Sequence, residues 1–158
     1  MFESLKKKVN DIKEVFDPVE LLYELFLDPE FTDLIIKLNT EGEQTSQLIY
    51  GVDSKGKQLD EIGGEYSPYT VMLKKEKGQI TDYVTLKDTG EFYRSFKTYW
   101  DKSEIVITAD TIKEGGDNLI TRWGQDIIGL DEQNIGVLRE YAKQKLPAII
   151  KNKLRSAA

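Results

Sequence analysis

The stretch FKTYWDKSEIVITAD, residues 96–110, decides the fold class. It contains two runs of β-branched and aromatic residues, and the polar triplet Asp101-Lys102-Ser103 separates them. Two such runs around a short polar turn predict an antiparallel β-hairpin. The segment TDYVTL, residues 81–86, has a similar composition and predicts a further strand. The chain is therefore expected to contain a small antiparallel sheet.

Helical patterns precede this hairpin. Asp17 and Asp28 each stand before a proline, an arrangement typical of an N-cap followed by the first helical residue. An earlier pattern in residues 2–16 places apolar side chains at three- and four-residue intervals, on one helical face: Phe2, Leu5, Val9, Ile12 and Phe16. The first third of the chain is predicted to be helical.

Helices are also predicted after the first third. Ser67 and Pro68 begin a short helix that ends at Gly78, and Asp131 begins a long last helix that Pro147 should kink. Residues 40–64 are polar and rich in glycine and predict a loop, whereas LITRWGQDIIG, residues 119–129, fits either a short helix or a strand. No internal repeat is apparent.

These elements predict one α+β domain over residues 1–158. It has N-terminal helices in residues 1–39, a small antiparallel sheet, and a long C-terminal helix in residues 131–155. The terminal helices are expected to cover the sheet.

Composition excludes several functions. The chain has 22 Lys and Arg against 28 Asp and Glu, which gives a net charge of −6, and it has no histidine and no cysteine. A histidine-based pH switch, disulfides and thiolate chemistry are excluded. No apolar run is long enough for a signal peptide or a membrane span, so we expect a protein made in the cytoplasm without a membrane partner.

The segment GVDSKGKQ has the glycine and lysine spacing of a phosphate-binding loop, through Gly51, Gly56 and Lys57. Such a loop needs Ser or Thr after the lysine to hold Mg²⁺, and Gln58 stands there instead. A surface turn is the favoured interpretation. Four nearby acids lack the spacing of a calcium loop: Asp53, Asp60, Glu61 and Glu65. We predict no catalytic residue, no cofactor, no metal site and no enzymatic activity.

Two further residue sets are candidates for binding. The aromatic residues could stack on nucleic acid bases, although core packing explains them more simply: Tyr66, Tyr69, Phe92, Tyr93, Phe96, Tyr99, Trp100 and Trp123. The C-terminal cations could contact phosphate or an acidic partner, although a helix dipole also favours cations there: Lys143, Lys145, Lys151, Lys153 and Arg155.

The segment LKDTGEFYRSF, residues 86–96, precedes the hairpin. Asp88 and Glu91 have the spacing of a helix cap, which predicts that Gly90 lies in the first helical turn. A glycine there allows close approach, either by a neighbouring strand or loop or by a partner that docks on the free amides.

The order of motifs in residues 53–130 resembles the small morphogenesis proteins of tailed bacteriophages and prophages, especially the tail-completion and neck group. In that group a Leu-x-x-Thr-Gly-x-Leu/Phe-x-x-Ser-Phe/Ile block precedes a β-hairpin. The matching residues here are Leu86, Thr89, Gly90, Phe92, Ser95 and Phe96. Asp88 lies within the block, and Trp123 belongs to the element WGQDIIGL after the hairpin.

The resemblance implies a non-enzymatic virion protein that forms a homo-oligomeric ring at the head–tail junction or the tail end. Its expected partners are further copies of itself and other head–tail or tail proteins, and non-specific contact with packaged DNA stays open. The alternative is a nucleic-acid-associated or nucleotide-binding protein that uses Lys57 and the basic C-terminal helix.

Overall fold

The computed structural model describes residues 17–41 and 47–156. Its helices are α1 Pro18–Phe26, α2 Pro29–Asn39, α3 Leu59–Gly63, α4 Pro68–Glu76, α5 Glu91–Arg94, α6 Leu119–Trp123 and α7 Glu132–Ser156. Strands β1 Lys97–Asp101 and β2 Glu104–Thr108 form an antiparallel sheet. The predicted α+β class is confirmed, whereas the helix predicted in residues 2–16 lies outside the described residues.

The predicted helix starts are confirmed by their capping hydrogen bonds. The Asp17 carboxylate accepts from the Val19 amide at 2.9 Å, and Asp28 accepts from the Glu30 amide at 3.0 Å. Ser67 caps α4, and Asp131 accepts from the Asn134 amide at 2.8 Å at the start of α7. Helix α7 continues through Pro147 to Ser156. These bonds satisfy amides that have no partner within a helix.

The hairpin turns through two residues, because Asp101 pairs with Glu104 and Lys102 has a φ of 56°. One face of the sheet packs against the first helix. The Trp100 ring lies 5.1 Å from that of Tyr23, in an edge-to-face arrangement, and 5.9 Å from that of Phe26. The hairpin is thus held by aromatic contacts with α1.

The strand predicted in residues 81–86 is wrong. Side chains satisfy the backbone there: the Tyr66 hydroxyl accepts from the Thr85 amide at 2.9 Å, and the Tyr93 hydroxyl donates to the Thr85 carbonyl at 2.5 Å. A backbone whose polar groups bond to side chains needs no partner strand. The β-branched composition of this segment instead buries Val84, Thr85 and Leu86 in the core.

The described part of residues 40–64 is not all loop. It contains one half of an internal repeat, although no repeat is apparent in the sequence. An antiparallel bridge joins Val52 to Gln58, and helix α3 follows it. Sixty residues later, a bridge joins Ile112 to Asn118, and helix α6 follows. The segment after the hairpin, for which helix and strand were both open, is therefore helical.

The two units, residues 51–64 and 111–124, have the same pattern of internal backbone hydrogen bonds. The Leu59 amide donates to the Gly51 carbonyl and the Leu119 amide to the Thr111 carbonyl, each at 2.8 Å. Both helices end at a glycine of positive φ, 84° at Gly64 and 81° at Gly124. Few side chains are identical in the two units, which is why the sequence conceals the repeat.

Two apolar clusters form the core. The first holds Leu59 and Leu119 of the two units, together with side chains from the segment before the hairpin. The second lies between α1, α2 and α7. Ile107 of β2 packs against both clusters, so the hairpin joins them.

Candidate functional site

A cleft of about 510 Å³ lies at the base of the hairpin, between the segment that precedes β1 and the segment that follows β2. It brings together six of the candidate residues, all from the segment 86–96: Leu86, Asp88, Thr89, Gly90, Phe92 and Ser95. The opposite wall comes from Asp110 and from the second turn–helix unit, which contributes Ile112, Lys113, Glu114 and Leu119. Residues far apart in sequence therefore form one surface.

Gly90 has a different role from the predicted one. It is the N-cap of α5 rather than a residue of the first turn, and its φ of 85° lies in the left-handed region that favours glycine. A Cβ at this position would lie 2.7 Å from Nη1 of Arg94, which donates to the Thr89 carbonyl at 3.2 Å. Within the described part of the chain, the close neighbour is thus the arginine of the same short helix rather than a strand or a loop.

Asp88 does not cap the helix. Its carboxylate lies 2.7 Å from the ammonium of Lys77, and the hydrogen bond with that lysine lowers the pKa of Asp88. Gln79 donates to the Asp88 carbonyl at 2.7 Å. This wall of the cleft is therefore attached to the end of α4.

Lys74 is buried beneath the same wall, with 5% of its surface exposed. Its ammonium donates to the Lys87 carbonyl and to Oε1 of Gln79, and it lies 4.8 Å from the centre of the Tyr66 ring. Buried lysines need such partners because desolvation of a charge is costly. Lys74 was not a candidate from the sequence, because no local pattern indicates its burial.

Ser95 joins the two walls at their base. Its hydroxyl accepts from the Asp110 amide at 2.9 Å and donates to the Phe92 carbonyl at 2.7 Å. Leu86 has a φ of 59°, a strained conformation for a residue with a branched side chain, and it is 6% exposed. Packing against the first core cluster holds this strained residue in place.

The rim of the cleft is acidic, and its interior is apolar. Three lining carboxylates form no ion pair among the described residues, against one lining ammonium, that of Lys113: Glu91, Asp110 and Glu114. The fourth, Asp88, is paired with Lys77. Leu86, Phe92 and Leu119 contribute buried apolar side chains, and Ile112 is 61% exposed. A partner that docks a carboxylate on the α5 amides would meet this negative field, so the geometry favours a cationic partner.

Phe96 and Trp123 lie away from the cleft. Phe96 is 3% exposed, and its ring contacts that of Phe92 at 5.1 Å. Trp123 packs against the first core cluster and against Gly63, where a Cβ would lie 2.4 Å from the indole Nε1. Core packing accounts for most of the aromatic set, but it is wrong for Tyr69 and Tyr99, which are 66% and 49% exposed.

The loop at Lys57 is closed by an internal carboxylate. Asp53 is 2% exposed, and its Oδ1 accepts from the amides of Lys55 and Lys57, both at 2.9 Å. These amides are the groups with which a phosphate-binding loop would hold its ligand. The loop therefore has the geometry of a self-contained turn.

The other acids of this region are dispersed. Asp60 and Glu65 line a second pocket of about 160 Å³ with Asp82, whereas Glu61 is exposed on α3. Within residues 17–41 and 47–156, no group of three or more acids is placed to hold a metal ion.

The structure divides the C-terminal cations into two sets. Lys143, Lys145 and Lys153 pair with glutamates, and the Lys153 ammonium contacts both Glu20 and Glu24 of α1 at 2.6 and 3.4 Å. Lys151 and Arg155 are exposed and form no ion pair within the described part of the chain. The second set is therefore exposed and without an internal ion pair among the described residues, whereas Lys143 and Lys145 are exposed but paired.

Comparisons of this chain with protein-family models, with curated proteins and with solved structures found no match. Among the helices that the structure describes, none is both long enough and apolar enough to cross a membrane.

Proposed function

We propose that the protein is a non-enzymatic structural component of a tailed-bacteriophage virion, at the tail end or the head–tail connector, and that it works as a homo-oligomeric ring. The main support is the cleft, because residues of the phage-like block form one of its walls. The cleft residues are held by backbone and core contacts rather than arranged around a reactive group. This suits a docking surface better than a catalytic site.

The alternative, a nucleotide-binding or nucleic-acid-associated protein, keeps only part of its support. Asp53 accepts hydrogen bonds from the amides that a nucleotide phosphate would need, which counts against a nucleotide-binding role for Lys57. Lys151 and Arg155 remain exposed cations that could contact a phosphate backbone. Binding of duplex DNA at 150 mM salt, lost in a Lys151→Gln and Arg155→Gln variant, would favour this alternative.

The proposed function is tested in particles. We expect mass spectrometry of virions, purified from a host that carries the gene among phage genes, to find the chain in several copies per particle. We expect electron microscopy of the purified protein, alone or with the neighbouring virion proteins, to show rings. Absence of the chain from particles would overturn the proposal.

A further inference from the structure

The cleft has a complementary surface at the other end of the same chain. In the last turns of α7, Lys151, Leu154 and Arg155 are spaced so that they share one helical face. Leu154 is 45% exposed, and the two flanking cations are unpaired within the described residues. We refer to these three residues as the basic tip.

The cleft and the basic tip match in charge and in polarity. The cleft presents an acidic rim around an apolar interior, and the basic tip presents two cations around one exposed leucine. Complementary charges favour association and fix its orientation. A chain with a net charge of −6 repels its own copies on average, so a cationic end is where a second copy can most readily approach an acidic cleft.

The two surfaces belong to different parts of the fold. The cleft is built on the first core cluster, whereas α7 packs on α1 and α2 around the second cluster. The ion pairs of Lys153 with Glu20 and Glu24 attach the end of α7 to α1. The basic tip is therefore presented outward by a supported helix.

We propose that the basic tip of one copy docks into the cleft of a second copy, so that the protein associates head to tail. This inference rests on the proposed function, since it names the contact that would build the ring. The contact joins two different surfaces, so repetition produces a closed ring or an open chain rather than a symmetric dimer.

Charge reversal on each surface tests the contact. The cleft variant is Glu91→Lys with Glu114→Lys, and the tip variant is Lys151→Glu with Arg155→Glu. Each should weaken self-association about tenfold or more in sedimentation velocity, because rim ion pairs contribute modestly and reversal adds repulsion. Lys57→Glu and Glu61→Lys reverse exposed charges outside both surfaces, and they should leave association unchanged.

The two variants also distinguish the proposed contact from a general effect of net charge on association. The cleft variant has a net charge of −6 + 4 = −2, and the tip variant has −6 − 4 = −10. If general repulsion governed association, the cleft variant would associate more strongly than the wild type. The head-to-tail contact instead requires both variants to be defective alone.

An equimolar mixture of the two variants should recover association. The acidic tip of one variant then meets the basic cleft of the other, and the basic tip of the second meets the acidic cleft of the first. Circular dichroism and unfolding in urea should show that both variants are folded. Recovery in the mixture supports the inference, because a misfolded variant could not be rescued in this way.

Two results would overturn the inference. One is a wild-type chain that stays monomeric at high concentration and low salt. The other is undiminished association of both variants, which would assign the ring contact to other residues. Neither result decides the proposed function, which depends on the presence of the chain in purified particles.

Discussion

At the scale of the residue, Gly90 and Trp123 are two positions where the structure restricts which side chain can be accommodated. Gly90 has a φ of 85° and lies under Arg94. Trp123 covers Gly63, and its indole Nε1 is buried without a hydrogen-bond partner among the described residues. The first case is a constraint on backbone conformation, and the second is a constraint on packing.

We predict that Gly90→Ala destabilises the protein by about 1–2 kcal/mol, because a Cβ is strained in the left-handed conformation. Gly56→Ala is the matched control, since Gly56 has a φ of 77° and nothing within 4 Å of the new Cβ. Urea unfolding should show a similar loss of unfolding free energy for both variants. The loss should be slightly larger for Gly90→Ala because of the contact with Arg94, and this difference should disappear in an Arg94→Ala background. Gly90→Asn should lose less stability than Gly90→Ala, because asparagine tolerates the left-handed conformation better. If Gly90→Ala had no effect, the backbone angle would not be the reason for glycine.

We predict that Trp123→Phe changes stability by less than about 1 kcal/mol, because loss of ring contacts is offset by removal of a buried, unsatisfied donor. Trp123→Ala should cost about 3 kcal/mol through the cavity that it leaves. Urea unfolding measures both. A large loss for Trp123→Phe would mean that the indole N–H has a partner, such as a bound water, in solution.

At the scale of the element, one tyrosine ties the long helix to the start of another. Tyr141 of α7 donates to Oδ2 of Asp28 at 2.8 Å and contacts Oε2 of Glu30 at 3.2 Å. The hydrogen bond from Tyr141 lowers the pKa of Asp28 below 3.8. Burial, and after it the hydrogen bond with Asp28, raises the pKa of Tyr141 to about 12. Asp28 thus serves both as the N-cap of α2 and as the acceptor for α7.

These shifts predict a pH window for the contact. The folded pKa of Asp28 is depressed, so its stabilisation is complete above about pH 4 and is lost as the pH falls through the folded pKa. The folded pKa of Tyr141 is raised, so the stabilisation that Tyr141 contributes is complete below pH 10 and is lost as the pH rises towards 12. Tyr141→Phe should cost about 1 kcal/mol between these limits.

Urea unfolding of wild type and Tyr141→Phe from pH 3 to pH 8 measures this window. The difference in free energy should be constant from pH 5 to pH 8 and shrink below pH 4. Tyr23→Phe is the control, because the Tyr23 hydroxyl makes no hydrogen bond within the described residues. A difference that grows on acidification would contradict the assignment of Asp28 as the acceptor.

At the scale of the whole molecule, two similar turn–helix units meet in one core. Leu59 and Leu119 occupy equivalent positions and are 0% and 2% exposed. We predict that Leu59→Ala and Leu119→Ala each cost about 2–5 kcal/mol, as large-to-small core substitutions do. Thermal and urea unfolding should give similar losses for the two variants. Exposed Ile62→Ala is the control, and strongly unequal losses would mean that the units do not share the core equally.

Local chemistry allowed much of the fold to be predicted. Four helices begin at a side chain that accepts from an amide two or three residues later, so a few adjacent residues are enough to predict each start. These side chains are Asp17, Asp28, Ser67 and Asp131. The hairpin is equally local, because its turn and both strands lie within residues 97–108. The block around Gly90 was also recognised as a candidate, although its backbone geometry was not.

Sequence alone therefore determined the elements whose stabilising contacts lie within a few residues, together with the absence of histidine and cysteine chemistry. Tertiary structure decided the rest. Residues 81–86 are not a strand because Tyr66 and Tyr93 bond to Thr85, and Lys74 is buried because Lys87 and Gln79 supply oxygens to it. The cleft exists because residues 86–95 and 110–119 face each other. Such contacts form between side chains that are distant in sequence, so local sequence patterns do not predict them.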